Sequence, residues 1–341
     1  MSKIKSLEKS NCPICSFPGV FLYEKLIDKY FSASGQWDFF KCSNKTCNLI
    51  WLNPMPIKED ISLAYNNYYT HTYELGNYND SKLRKIYKRI QAEFIGSKYG
   101  YNNAKFSFLK YVLYLDPDRL EQTKFDIMYL EKLSGKLLDV GCGNGIFLEI
   151  MNKLGWETIG VDFDEKAIES AKLKKLNVRL GDLTEQKFPD NYFDAITISH
   201  VIEHVYNPIE LVEECYRLLK TDGKMVIATP NNESLGHHLF KQYWRGLEPP
   251  RHIQIFSPQS LIHIVRLSGF RKYSSFTTNR IARYIFNFSG EMRQNKLRKN
   301  EVSNITRVKA RIFSFVEWML IKMKIGCGEE VVIIAEKIEK L

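Results

Sequence analysis

The sequence predicts an α/β protein built on a parallel, doubly wound sheet, and three observations carry that prediction. From residue 136 onward, short apolar runs alternate with stretches of helical period, the pattern of a parallel sheet crossed by helices. The first run passes into the first helix through "LLDVGCGNGIF", which places Gly141, Gly143 and Gly145 in one turn. About twenty residues later a carboxylate, Asp162, closes the second apolar run, where an open α/β sheet binds the ribose of a nucleotide-like ligand.

The elements follow in order. "KLLDV" reads as a buried strand and "GIFLEIMNKLG" as a helix ending at Gly155. "ETIGVD" and "EKAIESAKLKKL" are the next strand and helix. "VRLGD", "FDAITISH", a helix from "NPIELVEECYRLLK" and the strand "GKMVIATP" continue the alternation. "SPQSLIHIVRLSGF" is a helix with Ser257 as N-cap and Pro258 in its first turn. "FRKYSSFT" and "EEVVIIAEKI" complete the sheet, with an insertion between them at about 280–326.

Ahead of the sheet, residues 1–60 form one segment and 61–135 another. "NPMP" at 53–56 breaks regular structure, and the Tyr- and Asn-rich stretch after it reads as a loop or lid. Helical patterns run from 81 to about 133, one of them starting at Asp116–Pro117 with the aspartate as N-cap. The remainder, 136–341, is the sheet domain.

The chain has 341 residues, enough for one large domain with appendages; 44% are hydrophobic and 26% charged, which excludes a disordered polymer. The net charge of +10 is spread along the chain and permits an anionic partner without selecting one. The first ten residues are polar and no run is long enough to span a bilayer, so a cytoplasmic location is expected. In that compartment the seven cysteines point to metal binding or free thiols. Cys12 and Cys15 are two residues apart and Cys42 and Cys47 four apart, spacings that suit a tetrahedral structural zinc. A segment this small has little core of its own, so a metal would stabilise it.

In "TRVKARIFSFVEWMLIKMK", Val308, Ile312, Phe315, Met319 and Met323 fall on one helical stripe, accompanied by Arg307, Lys309, Arg311, Lys322 and Lys324. Packing of that stripe on the protein is the expectation. Contact with an anionic membrane surface through 304–324 is the alternative.

The glycine spacing is GxGxG, because position 146 is isoleucine, which argues against a nicotinamide dinucleotide; the lack of GKS or GKT excludes a P-loop. Asp139 lies just inside the turn, and Asp182 ends the third strand, where an adenine amino group could be met. "LLDVGCGNG", "GVDFDEKAIESA", "GDL", "FDAITISHVIEHV" and "LLKTDGKMVIATPN" together resemble a class I S-adenosylmethionine-dependent methyltransferase. That resemblance implies a Rossmann-like sheet of seven strands with the last antiparallel. It also implies a donor held by Asp139, Gly141, Gly143, Gly145, Asp162, Asp182 and Leu183. The cysteine pairs followed by "WLNPMP" and "YNNYY" resemble a bacterial subgroup with a zinc-binding N-terminal segment, which includes sugar C-methyltransferases and enzymes of polysaccharide biosynthesis. Tyr68 and Tyr69 are then candidates to face the sulfonium from a lid.

"SHVIEHVYNP" follows the fourth strand. His200 and His204, with Glu203 between them, are candidate bases for removing a proton from an oxygen or carbon acceptor. Quinone-pathway and small-RNA O-methyltransferases bind a divalent ion through Glu-x-x-Glu-His and a later histidine. Glu203, His204 and His252 match that pattern, whereas His200 departs from it. Arg245 and Arg251, flanking "GLEPP", are candidates for an anionic group of the acceptor. The expected acceptor is a small molecule or glycan, a sugar or polysaccharide precursor, rather than nucleic acid. An RNA or quinone-like acceptor, or an inactive zinc-ribbon scaffold, is the alternative. The oligomeric state is not legible.

Overall fold

The computed structural model describes residues 4–65, 82–101, 108–131, 135–295 and 304–339. The chain packs as two compact units. One contains Met1–Tyr68, Ile198–Arg217 and Ile227–Leu341, and the other Tyr69–Thr197 and Leu218–Val226. The blocks 1–60, 61–135 and 136–341 divide the chain by sequence; by packing, the N-terminal segment clusters with the C-terminal third.

The N-terminal segment is built of β1 (Ser6–Leu7), β2 (Gly19–Leu26), β3 (Trp37–Cys42), β4 (Ile50–Leu52) and β5 (Met55–Pro56). β2, β3 and β4 pair antiparallel in succession, and β1 pairs with β5. β3 turns Trp37 and Phe39 inward, and all three residues of β4 are buried. Each such side chain contributes about 1.5–3 kcal/mol.

In the second unit, α1 (Lys82–Tyr99), a 3-10 stretch (Phe108–Leu115) and α2 (Pro117–Phe125) precede the sheet. Asp116 caps α2 as expected, its side chain accepting from Arg119 N. β6 (Lys136–Val140), α3 (Ile146–Lys153), β7 (Glu157–Asp162), α4 (Glu165–Leu173) and β8 (Val178–Leu180) then alternate. β6 and β7 are almost wholly buried, as parallel strands covered on both faces must be. Asp164 caps α4 by accepting from Lys166 N and Ala167 N at 3.0 and 3.3 Å.

β9 (Phe193–Ser199), α5 (Pro208–Leu218) and β10 (Leu219–Pro230) follow. β10 starts ahead of the expected Gly223, at Leu219, which is buried, and the next residue, Lys220, places its Nζ 2.8 Å from Asp194. After α6 (Leu235–Phe240), β11 (Gln254–Ile255) adds to β4, giving a four-stranded sheet in the order β11-β4-β3-β2. α7 (Pro258–Leu267) carries the expected cap, Ser257 accepting from Ser260 N at 3.0 Å. β12 (Lys272–Thr278) and β13 (Glu330–Glu336) flank the insertion, which forms α8 (Ala282–Gln294) and α9 (Asn304–Lys322).

The main sheet has seven strands in the order β12-β13-β10-β9-β6-β7-β8. β6, β7 and β8 run parallel and β12 and β13 antiparallel, so the sheet is mixed.

α9 overturns one expectation. It buries Ala310, Phe313, Ser314 and Glu317, with Phe313 packed on Phe286 of α8 at 5.2 Å. The stripe Val308, Ile312, Phe315, Met319 and Met323 is between 44% and 67% exposed and does not pack on the protein.

Candidate functional site

The glycine turn is shaped by its backbone. Gly141, Gly143 and Gly145 have φ of +74°, +52° and +78°, a region that side chains with a Cβ rarely enter. Gly141 N donates to Val161 O at 2.8 Å, fastening the turn onto β7. Gly160 on β7 permits that approach, since a Cβ there would stand 2.6 Å from Cys142 Sγ and 2.7 Å from Leu148. A Cβ at Gly143 would meet nothing within 4 Å, so the bare backbone borders open space. Gly145 at the start of α3 has no side chain to cap it, and Asn144 Oδ1 accepts only a long 3.4 Å bond from Ile146 N, so the helix N-terminus can meet a negative group.

Asp162 ties the turn to the end of β7. Its Oδ2 accepts from Gly143 N at 2.8 Å and its Oδ1 from Asp164 N at 2.9 Å. A carboxylate offers about four acceptor positions, more than its backbone N–H partners occupy, so Asp162 can still accept a hydroxyl. Burial pushes its pKa up, against the pull of those N–H groups. Asp139 is buried and accepts the Thr197 hydroxyl at 2.7 Å; burial first, then the nearby Asp162 charge, push it up to about 7. Asp182 precedes the 3-10 turn Leu183–Gln186, its N–H donating to Glu185 Oε2 at 3.1 Å, and Leu183 is buried. The expected cofactor residues of this unit thus fall on the ends of β6, β7 and β8. The exposed glycine backbone, the open helix start and a carboxylate with spare acceptors fit an adenosyl donor bearing its own carboxylate.

In the other unit, His200 leaves β9 with φ +53°, its N–H donating to Ala228 O at 2.9 Å. Its Nε2 lies 2.6 Å from Glu330 Oε1 and its Nδ1 3.3 Å from Glu203 Oε1, while Arg280 pairs with the same Glu330. Burial opposes a charged imidazole here, but the two carboxylates outweigh it and raise His200 to about 9. Both ring nitrogens are engaged within the protein, Nε2 also standing 3.1 Å from Arg280 Nη2, which leaves neither open to an acceptor. Glu203 is buried too. Desolvation opposes its charge, yet the His200 partner holds it down to about 2. Its Oε2 accepts from Thr229 Oγ1 at 2.8 Å.

His204 and His252 are held alike. His204 Nδ1 lies 2.9 Å from Arg251 O, and His252 Nδ1 2.8 Å from Gly246 O. A carbonyl only accepts, so each Nδ1 carries a hydrogen, and in a neutral ring it is Nε2 that keeps the lone pair. Burial lowers His252 to about 4, so it is neutral. The rings stand 4.8 Å apart, and ligand atoms of Glu203, His204 and His252 lie within 4.8 Å of one another. Two imidazoles fixed through their outer nitrogens, with a buried carboxylate, form a donor set that fits a divalent cation.

Arg245 and Arg251 are not free for an acceptor. Both are buried: Arg245 pairs with Glu248, and Arg251 donates to Glu248 Oε1, Asp28 Oδ2 and Ala64 O, each at 2.9 Å. The two charges are balanced internally. Tyr68 and Tyr69 lie outside the described residues. Tyr65, which the sequence reading passed over, stands with its hydroxyl 3.0 Å from His204 Nδ1. Glu248, Asp28, Glu330 and Arg280 were also missed. The "LEPPRH" and "GEE" stretches show the glutamates, but nothing local marks their partners.

The four N-terminal cysteines converge. Cys12 and Cys47 sulfurs are 3.8 Å apart and Cys15 and Cys42 3.4 Å, and all four lie within 4.8 Å of one another. Tetrahedral ligation with bonds of about 2.3 Å sets the sulfurs about 3.8 Å apart, so the cluster fits zinc. Cys47 O accepts the Ser257 hydroxyl at 2.8 Å, and Asn48 O accepts from Asn232 Nδ2 at 2.8 Å, which ties the second cysteine pair to the cap of α7 and the end of β10.

Residues 116–275, just under half of the chain, match the protein family described as a methyltransferase domain. Among curated relatives, the mitochondrial ubiquinone biosynthesis O-methyltransferase of Bos taurus is 33% identical over 154 residues, which cover 40% of this chain and 42% of the relative. The ubiquinone biosynthesis O-methyltransferase of Glaesserella parasuis is 35% identical over 115 residues, covering 30% of this chain and 49% of the relative. The chain thus spans less than half the length of either. A solved structure of a SAM-dependent methyltransferase from Archaeoglobus fulgidus aligns with a TM-score of 0.44 at 26% identity, covering 68% of this chain and all of that one.

Proposed function

We propose that the protein transfers a methyl group from S-adenosylmethionine to an oxygen or carbon of a sugar or polysaccharide precursor. The observation that carries the base-assisted chemistry is the pairing of Nδ1 of both His204 and His252 with backbone carbonyls, which makes Nε2 the nitrogen that can take a proton in each ring. In this reading the glycine turn receives the donor's carboxylate, Asp162 its ribose, and Asp182 with Leu183 its adenine. His204 takes the proton from the acceptor as the methyl leaves sulfur, and Arg251 O steadies the imidazolium that results. Glu203 balances that charge. Where Glu203, His204 and His252 instead hold a divalent cation, His204 Nε2 would be a ligand and not the base, and the cation would supply Lewis acidity toward an acceptor oxygen. The four cysteines would hold a structural zinc. The sugar acceptor rests on the N-terminal resemblance.

A quinone-like hydroxyl acceptor is the second reading, favoured by the names of the relatives and by the same Glu-His-His cluster. The test is methyl uptake from labelled S-adenosylmethionine, with sugar nucleotides in one set and catechol-type quinone precursors in the other. Uptake in the first set alone supports the proposal, uptake in the second alone transfers it to the second reading, and binding of the donor without turnover on either class refutes both acceptors.

A further inference from the structure

α9 turns a mixed face, Ala310, Phe313, Ser314 and Glu317, into the fold and leaves the apolar stripe opposite it uncovered. Its inner face buries Phe313 against α8, Asn279 Nδ2 donates to Ser314 Oγ at 3.1 Å, and Glu317 accepts from Glu329 N at 2.7 Å. These contacts fix the rotation of the helix, so the stripe of Val308, Ile312, Phe315, Met319 and Met323 faces away from the unit that holds it. An exposed stripe of four turns marks an interaction surface. Its charges say what kind. Arg307, Lys309, Arg311, Lys322 and Lys324 are all exposed, and the one acidic residue between 304 and 325, Glu317, is fully buried. At 100° per residue, Lys309 borders the stripe on one side and Arg311 and Lys322 on the other. Trp318 lies beside Phe315, their rings 5.7 Å apart, and Lys322 Nζ stands 5.8 Å from the Trp318 ring.

We infer that α9 docks the protein in plane on an anionic lipid bilayer, the stripe entering the headgroup boundary and the flanking cations meeting lipid phosphates. No helix among the described residues is long and apolar enough to cross a membrane, so the contact is peripheral. A second copy of the chain is the poorer occupant. Stripe against stripe would bring five cations of each helix toward five of the other with no exposed carboxylate of the helix to offset them.

The test is sedimentation of the full chain with vesicles of phosphatidylcholine alone and of phosphatidylcholine mixed with phosphatidylglycerol. Binding is expected to the mixed vesicles, to fall with salt, and to be much weaker on the neutral ones. Arg311→Gln with Lys322→Gln should weaken partition about 30-fold, from roughly fivefold per cation near an anionic surface. Ile312→Gln with Phe315→Gln should abolish it. Both pairs are exposed, so thermal midpoints should stay unchanged. In the native chain, brominated lipid should quench tryptophan fluorescence through Trp318, a reading that needs no variant. Absence of binding to mixed vesicles, equal binding to both kinds, variants that bind like the native chain, or no quenching by bound bromolipid would each overturn the inference. So would a solution dimer that Ile312→Gln with Phe315→Gln dissolves, which would assign the face to a second copy.

Discussion

Asp139 gives a quantitative prediction with an unambiguous sign. Its carboxyl is buried, holds one hydroxyl donor in Thr197, and lies near the Asp162 charge. The folded protein therefore keeps its proton up to about 7, where an ordinary aspartate releases it near 3.8. A raised acid pKa means that the folded state binds more protons than the unfolded state across that interval, so stability falls as pH rises through it and levels off above it. At 1.36 kcal/mol per pH unit the loss is on the order of 4 kcal/mol. Asp139→Asn removes the titration while its amide oxygen can still accept from Thr197. Urea unfolding of the ligand-free protein at pH 4 and pH 8 should show the variant gaining on the native chain by a few kcal/mol at the higher pH, with little difference at the lower. A native-minus-variant difference that is flat between those pH values would refute the reasoning.

Three further outcomes follow from the same geometry. Glu248→Gln leaves the buried Arg245 and Arg251 short of a countercharge, which should cost about 3–5 kcal/mol and appear as a clear drop in the thermal midpoint. The protein should purify with one tightly held zinc per chain, measured by metal analysis, and Cys42→Ser should release it and lower stability; full-length protein that is equally stable without metal would contradict the cysteine reading. His204→Gln should lower turnover by about 10²–10⁴-fold while leaving donor affinity unchanged, as measured by initial rates and by calorimetry.

What the sequence disclosed, and what it withheld, divides by distance along the chain. The glycine turn, Asp162, the caps Asp116 and Ser257, and the cysteine pairs are local patterns, and each is found where expected. The alternation from 136 onward was legible because buried parallel strands such as β6 and β7 are continuous apolar runs. Pairings were not legible. His200 reads as a base from its neighbours, but Glu330, 130 residues away, occupies its Nε2 at 2.6 Å. Arg251 reads as an anion site, but Asp28, 223 residues away, already neutralises it. α9 shows a third limit. Periodicity finds a stripe, yet here the buried face is the one carrying Ser314 and Glu317, whose Oγ and Oε1 accept from Asn279 Nδ2 and Glu329 N.

The most direct test of the account is calorimetric titration of the zinc-loaded chain with S-adenosylmethionine, beside Asp162→Ala. The account predicts one donor site per chain in the native protein and at least a tenfold loss in the variant, since hydrogen bonds to a charged group contribute about 1.5–3 kcal/mol. No heat of binding with the native chain, or equal affinity in the variant, would contradict it.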